Sequence, residues 1–201
     1  MMDDRMLAFH GLAIKRLANA ATVAGLTGQP VDAVDAQLQS AVATGRALES
    51  KGGYTLTPLA RVALQASYDK HFGELRSDPA FTQAYEGFER VNNDLKQTIT
   101  DWQTIEVRGE RRANDHSDAA YDDKILDRLA NLHEQAESML RGLARGLPRL
   151  KIYADKLEQA LDKAEGGASE WVSDIHRESY HTVWFELHEE LLRIMGRERV
   201  E

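Results

Sequence analysis

The sequence predicts a mainly α-helical protein in two parts: a small N-terminal domain of short helices closed by a two-stranded hairpin, then an antiparallel bundle of about four long helices. Three observations carry this. Apolar residues recur at spacings of three and four along most of the chain, the mark of buried helix faces. A glycine turn, Lys51-Gly52-Gly53, separates two short strand-like runs. The charge also divides. Through residue 68, Arg5, Lys15, Arg16, Arg46, Lys51 and Arg61 face Asp3, Asp4, Asp32, Asp35 and Glu49, a net of +1, so the rest of a chain of formal charge −8 carries −9. The domains are therefore expected at 1–68 and 69–201, joined inside a helix near Ala66 to Lys70.

The N-terminal part begins with a helix over residues 6–17, where Leu7, Ile14 and Leu17 are spaced for one face. Ala20 to Leu26 is a short helix interrupted by glycine. Pro30 suits the first turn of a third helix, where its missing N–H has no partner to lose. Val31, Val34, Leu38, Ala41 and Val42 form its buried face, and Gly45 ends it with a left-handed cap. Arg46–Ser50 and Tyr54–Thr57 are the hairpin strands, and Thr57-Pro58 starts the next helix. This order is that of a winged helix-turn-helix.

The second part opens at Asp78, an N-cap ahead of Pro79. Phe81, Tyr85, Phe88, Asn92, Leu95, Ile99 and Trp102 then alternate steps of four and three, a single apolar stripe with one polar member. Residues 106–118 form a polar loop. Asp118 caps a helix from Ala119 with its stripe through Ile125, Leu129, Leu132, Ala136, Leu140 and Leu143. Pro148 begins another through Tyr153, Leu157 and Leu161. After Gly166-Gly167, Ser169 opens the last helix, through Trp171, Ile175, Val183, Leu187, Leu191 and Ile194. Long helices with short connections favour an antiparallel bundle.

Composition bounds the function. In 201 residues, 42% are hydrophobic and 29% charged, an ordinary globular balance. The acidic excess argues against a basic protein that coats nucleic acid. Without cysteine there are no disulfides, thiolate metal sites or cysteine nucleophiles. No apolar run approaches the roughly 20 residues that span a bilayer, and the acidic start MMDDRMLAFH is unlike a signal peptide. A cytoplasmic protein with no membrane partner is expected. No nucleophile elbow, phosphate loop, dinucleotide fingerprint or paired-carboxylate motif is present, so the expectation is no catalytic residue, no cofactor and no resident metal.

Candidate functional residues fall in three places. On the third helix and hairpin, Gln37, Gln39, Ser40, Thr44, Arg46 and Lys51 could meet DNA, glutamine reading adenine and the cations reaching phosphates. Asp32 and Asp35 on the same helix would repel phosphates. In the second part, Asp115 and His116 stand beside the capping residues Ser117 and Asp118. Tyr180, His181, Trp184 and His188 share helical spacings. A pocket walled by Trp102, Tyr180 and Trp184, with His116 or His181 as polar contact, is the sensing arrangement these residues allow. His181 and His188 cannot share one zinc from this helix alone. They stand about 10.5 Å apart along the axis, whereas ligands of one ion lie roughly 3–4 Å apart.

Two resemblances add to this reading. The stretch AGLTGQPVDAVDAQLQSAVATGRALESKGGYTLTPLAR resembles the core of MarR- or PadR-type winged-helix regulators, with Leu56, Thr57, Pro58 and Arg61 matching the phrase that commonly follows the wing. It implies that the helix at residues 31–44 enters the DNA major groove. The phrases ITDWQ (99–103), NDHSDAAYDDKILDRLANLHE (114–134) and SYHTVWFELHEELL (179–192) are similar to a helical module of actinobacteria associated with pyruvate, phosphate dikinase-like and other phosphoenolpyruvate-utilising proteins. The phosphohistidine and nucleotide-grasp regions of such enzymes are absent, so it implies an accessory or regulatory role. The expected function is a winged-helix transcriptional regulator whose helical domain dimerises or senses a ligand. The alternative is a protein-interaction module for a phosphoenolpyruvate-utilising enzyme. Expected partners are DNA, a small molecule or a protein, within a homodimer.

Overall fold

A computed structural model describes residues 2–107 and 109–197. The fold is mainly helical, with two small antiparallel hairpins among the described residues. The chain forms two compact units. One is drawn from residues up to Ser77 together with the chain from His188 onward, and the other from Asp78–Leu187. The expected junction near residue 68 lies within α4, which runs unbroken to Ser77 before Asp78 and Pro79 start the next helix.

In the first unit, α1 (Asp4–Lys15) starts where Asp3 accepts a hydrogen bond from the Met6 N–H at 2.8 Å. Asn19 does the same for α2 (Ala20–Thr27), accepting from the Thr22 N–H, and Gly28 ends that helix at φ +74°. Gly25 is absorbed within it. Helix α3 (Val31–Ala43) starts at Val31, with Pro30 at the N-cap position instead of in the first turn and Gly45 at φ +69° beyond its end. Val34, Leu38 and Ala41 are buried as their spacing predicts. Val31, at the first helical position, is instead 51% exposed.

Strands β1 (Ala47–Ser50) and β2 (Gly53–Leu56) pair with Ser50 opposite Gly53. The turn is therefore only Lys51-Gly52, with φ of 52° and 74°. Positive φ at both central residues is the geometry whose twist matches a tight hairpin. Ala18, between α1 and α2, bridges to Tyr54 through hydrogen bonds in both directions, so β2 has a neighbour on either side. Helix α4 (Pro58–Ser77) follows, its Ala60 N–H bonded to the Thr57 hydroxyl at 3.4 Å. Leu12, Val23, Leu38, Leu64 and Tyr68 lie in the core of this unit, with Leu191 and Ile194 from the chain's last helix.

In the second unit, α5 (Pro79–Gln103) is capped by Asp78, and every member of its stripe from Phe81 to Trp102 is buried. The segment expected as a loop from residue 106 is largely a hairpin. Strands β3 (Thr104–Val107) and β4 (Glu110–Ala113) pair with Glu106 opposite Arg111. The sequence carries no strand signal here because β4 is solvent-exposed throughout, so polarity does not switch along it. Asp118 then caps α6 (Ala119–Gly146), accepting from the Tyr121 N–H at 3.1 Å. A 3₁₀ turn (Pro148–Leu150) leads into α7 (Lys151–Glu165).

The last long helix expected from Ser169 is broken in two. Helix α8 (Glu170–Ser173) stops at Asp174, whose carboxylate accepts from the His176 N–H at 2.8 Å and from Arg177 Nε at 3.0 Å. Such an aspartate turn competes with helical pairing. Ser179 then starts α9 (Tyr180–Met195) by accepting from the Thr182 N–H. Ile175, expected on the buried stripe, is consequently 75% exposed.

Small residues set how closely α5 and α6 approach. A Cβ on Gly142 would lie 3.0 Å from the Ala84 Cβ, and one on Gly87 would touch Met139 at 3.4 Å. Gly142→Leu is expected to cost about 1–3 kcal/mol, because a side chain must enter a gap already closed by the Ala84 methyl. Urea unfolding measures it; an unchanged midpoint would show that this helix pair can spread freely.

Candidate functional site

The first candidate surface is built by α3 and the β1–β2 turn. On α3, Gln39 and Ser40 are exposed, as are Thr44 at its C-cap and Arg46 just beyond. Thr44 Oγ1 donates back to the Ser40 carbonyl at 2.8 Å and accepts from Arg46 Nη1 at 3.2 Å, which fixes the direction of the guanidinium. Lys51 is exposed on the tight turn. Gln37 is half-buried, with its Oε1 enclosed and lacking a hydrogen-bond partner, so it faces partly into the domain.

The two aspartates on α3 differ. Asp35 accepts from the Tyr54 hydroxyl at 3.1 Å and from Gln39 Nε2 at 2.7 Å. Burial, reinforced by the Asp35 carboxylate, pushes the Tyr54 hydroxyl above its usual range and keeps it a donor. Asp35 is thus engaged by the hairpin and by its own helix, while Asp32 remains exposed in the first turn. Sequence spacing does not reveal the Tyr54 contact, because it joins residues from different elements.

The residues expected to line one pocket in the second unit belong to two clusters. In the first, the Trp102 and His116 rings lie 4.6 Å apart between centroids. His116, at φ +60°, has its Nδ1 2.8 Å from Asp122 Oδ2. Asn114 Nδ2 donates to Asp122 Oδ1 at 2.8 Å and to the Trp102 carbonyl at 3.0 Å. A histidine oriented through Nδ1 by a carboxylate keeps Nε2 for a second partner. Asp115 does not join this pair. It accepts from the Ser117 N–H and hydroxyl, which hold its carboxyl below the usual range.

The second cluster surrounds Asn92. Trp184 Nε1 donates to Asn92 Oδ1 at 3.1 Å, and the Trp184 ring stacks on Phe88 at 4.8 Å. Tyr180 lies on the other side at 6.1 Å from Trp184 and pairs through its hydroxyl with His133 Nδ1 at 3.2 Å. Tyr180 is fully buried, and desolvation pushes its hydroxyl far above the usual range. Asn92 and Trp102 stand ten positions apart on α5, about 15 Å along the axis. One small ligand cannot be clasped by both tryptophans.

His181 is half-buried beside this cluster, and His188 is buried but belongs to the other compact unit. Burial lowers the His181 pKa, because the interior disfavours the imidazolium. The unfolded chain then binds the proton more tightly, so this residue's effect is nil at neutral pH and destabilising as pH falls below about 6.5. Relative to wild type, His181→Gln is expected to lose less stability between about pH 7 and pH 5. Parallel denaturation curves at both pH values for the two proteins measure it, and identical pH dependences would contradict it.

One buried polar cluster has no signal in the sequence. His10, α4 residue Tyr68 and α9 residue Glu190 meet in the core of the first unit. His10 Nδ1 lies 2.9 Å from the Tyr68 hydroxyl, and its Nε2 lies 3.4 Å from Glu190 Oε1. The side chains of the histidine and the glutamate are wholly inaccessible. Among the described residues, no group of three or more His, Cys, Asp or Glu is placed to hold a metal ion, and no helix is long and apolar enough to cross a membrane. No family model, curated protein or solved structure matches this chain.

Proposed function

We propose that the chain is a transcriptional regulator. The first unit is a winged helix-turn-helix that presents α3 to the major groove of duplex DNA, with the β1–β2 hairpin as its wing. Helices α5, α6, α7 and the first part of α9 form an antiparallel bundle that pairs two copies. The observation that carries the reading is the state of α3. Of the two aspartates that would oppose phosphate contact, Asp35 is engaged by Tyr54 and Gln39, while Asp32 stays exposed in the first turn. Toward the C-terminal end of α3, away from Asp32, the exposed groups are Gln39, Ser40, Thr44 and Arg46 beside Lys51. In this arrangement Ser40 and Thr44 approach base edges, and Arg46 and Lys51 neutralise phosphates.

The order of elements, three helices followed by a hairpin that Ala18 extends, supports the same assignment. The second unit is assigned to pairing rather than sensing, because Trp184 and Tyr180 are engaged in its core. Fluorescence anisotropy with pooled random-sequence duplex tests the reading, with affinity expected to weaken steeply as salt rises. Absence of binding at every salt concentration would overturn it in favour of a protein-interaction module.

A further inference from the structure

His116 is gripped on one side and open on the other. Its N–H donates to Asn114 Oδ1 at 3.1 Å, which fixes the turn ahead of α6. Its Nδ1 donates to Asp122 Oδ2 at 2.8 Å, while Asp122 Oδ1 accepts from Asn114 Nδ2 at 2.8 Å. The buried carboxylate is therefore committed through both oxygens, and the buried Trp102 ring backs the imidazole. With the Nδ1 proton directed at Asp122, the lone pair of the ring lies on Nε2. That nitrogen has no partner among the described residues, and the side chain is 37% exposed.

An imidazole held this way can ligate a metal, move protons for a bound substrate or act as a nucleophile. The surroundings choose among these. A resident metal needs further ligands, and no group of three or more His, Cys, Asp or Glu among the described residues is placed to hold one. An acid or base that turns over substrate needs a cleft, and His116 lines neither the cleft of about 860 Å³ in the first unit nor that of about 590 Å³ between α5 and α6. A nucleophile that is itself modified needs only an accessible lone pair. The positive end of α6 and the Arg111 guanidinium suit an anionic group there, while Asp115 is turned to Ser117. Burial and Asp101 raise the Tyr121 hydroxyl's pKa, and Arg128 and Arg111 pull against them, which sets the Arg111 charge near the first turn of α6.

We propose that His116 Nε2 is a phosphoryl-acceptor site that takes the group from a small acyl phosphate, with Asp122 as its positioning residue. The Nε2 lone pair attacks phosphorus and forms the N–P bond. The bond from phosphorus to the acyl oxygen breaks, and the carboxylate leaves with that electron pair. The ring becomes cationic and keeps its Nδ1 proton, which Asp122 holds, so no further reactant is required. The proposal is independent of the DNA-binding reading.

Acetyl phosphate is the probe, on the full chain near neutral pH, with His176 as the internal control. His176 is also exposed, but no carboxylate is bonded to its ring. Peptide mass spectrometry is expected to find an acid-labile, alkali-stable phosphoryl group on His116, about tenfold or more above His176. In urea the preference should vanish although both rings are then exposed, because Asp122 no longer orients the first. Asp122→Asn, assayed below its own Tm, is expected to lose most of the preference, and His116→Gln to remove the main increment from the intact protein. The proposal is overturned if His116 is not labelled, or if His176 is labelled equally in the folded chain. It also fails if the preference survives in urea or in Asp122→Asn.

Discussion

His10→Ala is expected to destabilise the protein by about 3–5 kcal/mol, the range for truncating a large buried side chain and leaving its hydrogen-bond partners unmatched. The histidine and Glu190 side chains are both inaccessible to solvent, and Tyr68 holds the other imidazole nitrogen. Truncation leaves a buried carboxylate without this partner and a gap beside Tyr68 and Phe72, whose rings pack on the imidazole at 5.5 and 5.9 Å. Replacing both partners by apolar residues, as in His10→Phe with Glu190→Leu, is expected to recover much of the loss, because the buried carboxylate is then gone as well. Urea unfolding of the single and double variants measures both. A loss under about 1 kcal/mol for His10→Ala would show that this cluster is not a structural element of the core.

Trp184→Ala should have a comparable effect, about 3–5 kcal/mol, since it removes a buried ring and its bond to Asn92. This prediction also separates core from pocket. Were Trp184 the wall of an open ligand cavity, truncation would alter ligand binding and leave stability nearly intact. The Asn92 Nδ2 is already buried without a hydrogen-bond partner, so the Trp184 bond is its side chain's principal compensation. Asn92→Leu alone strands the indole N–H, and Trp184→Phe alone strands the amide. Together they are expected to cost less than the sum of the two, by about 1 kcal/mol or more. Additive losses would show that the Asn92–Trp184 bond contributes nothing to stability.

What is legible in the sequence follows from what periodicity can see. The α5 stripe is plain from Phe81 to Trp102 because each buried residue repeats the same local spacing. The caps at Asp78 and Asp118 are legible for the same reason, since a cap bonds to its own first turn. Two local features defeat the spacing argument. Ile175 continues the α9 stripe in register, yet the Asp174 turn outcompetes the helix through the bonds its carboxylate makes. The β3–β4 hairpin is hidden because β4 faces solvent throughout and carries no apolar alternation.

The site residues divide along the same line. Asp115 and His116 are neighbours in sequence, yet only His116 meets a buried partner, Asp122, one turn into α6. Trp102 and Trp184 have the residue type of one pocket wall, but the length of α5 between Asn92 and Trp102 keeps them in separate clusters. The contacts that matter most, Asp35 with Tyr54 and His10 with Glu190, join distant segments. No single-sequence pattern encodes them.

In the proposed regulator, Arg46 and Lys51 meet DNA phosphates while α3 faces the groove. The slope of log affinity against log salt, measured on duplex for the wild type and Arg46→Gln/Lys51→Gln, tests it most directly. Removing one cation from a phosphate should reduce the slope by about 0.9, so the double variant is expected to bind more weakly with a slope lower by roughly 2. An unchanged slope in the double variant, or no duplex binding by the wild type even at low salt, would contradict the claim.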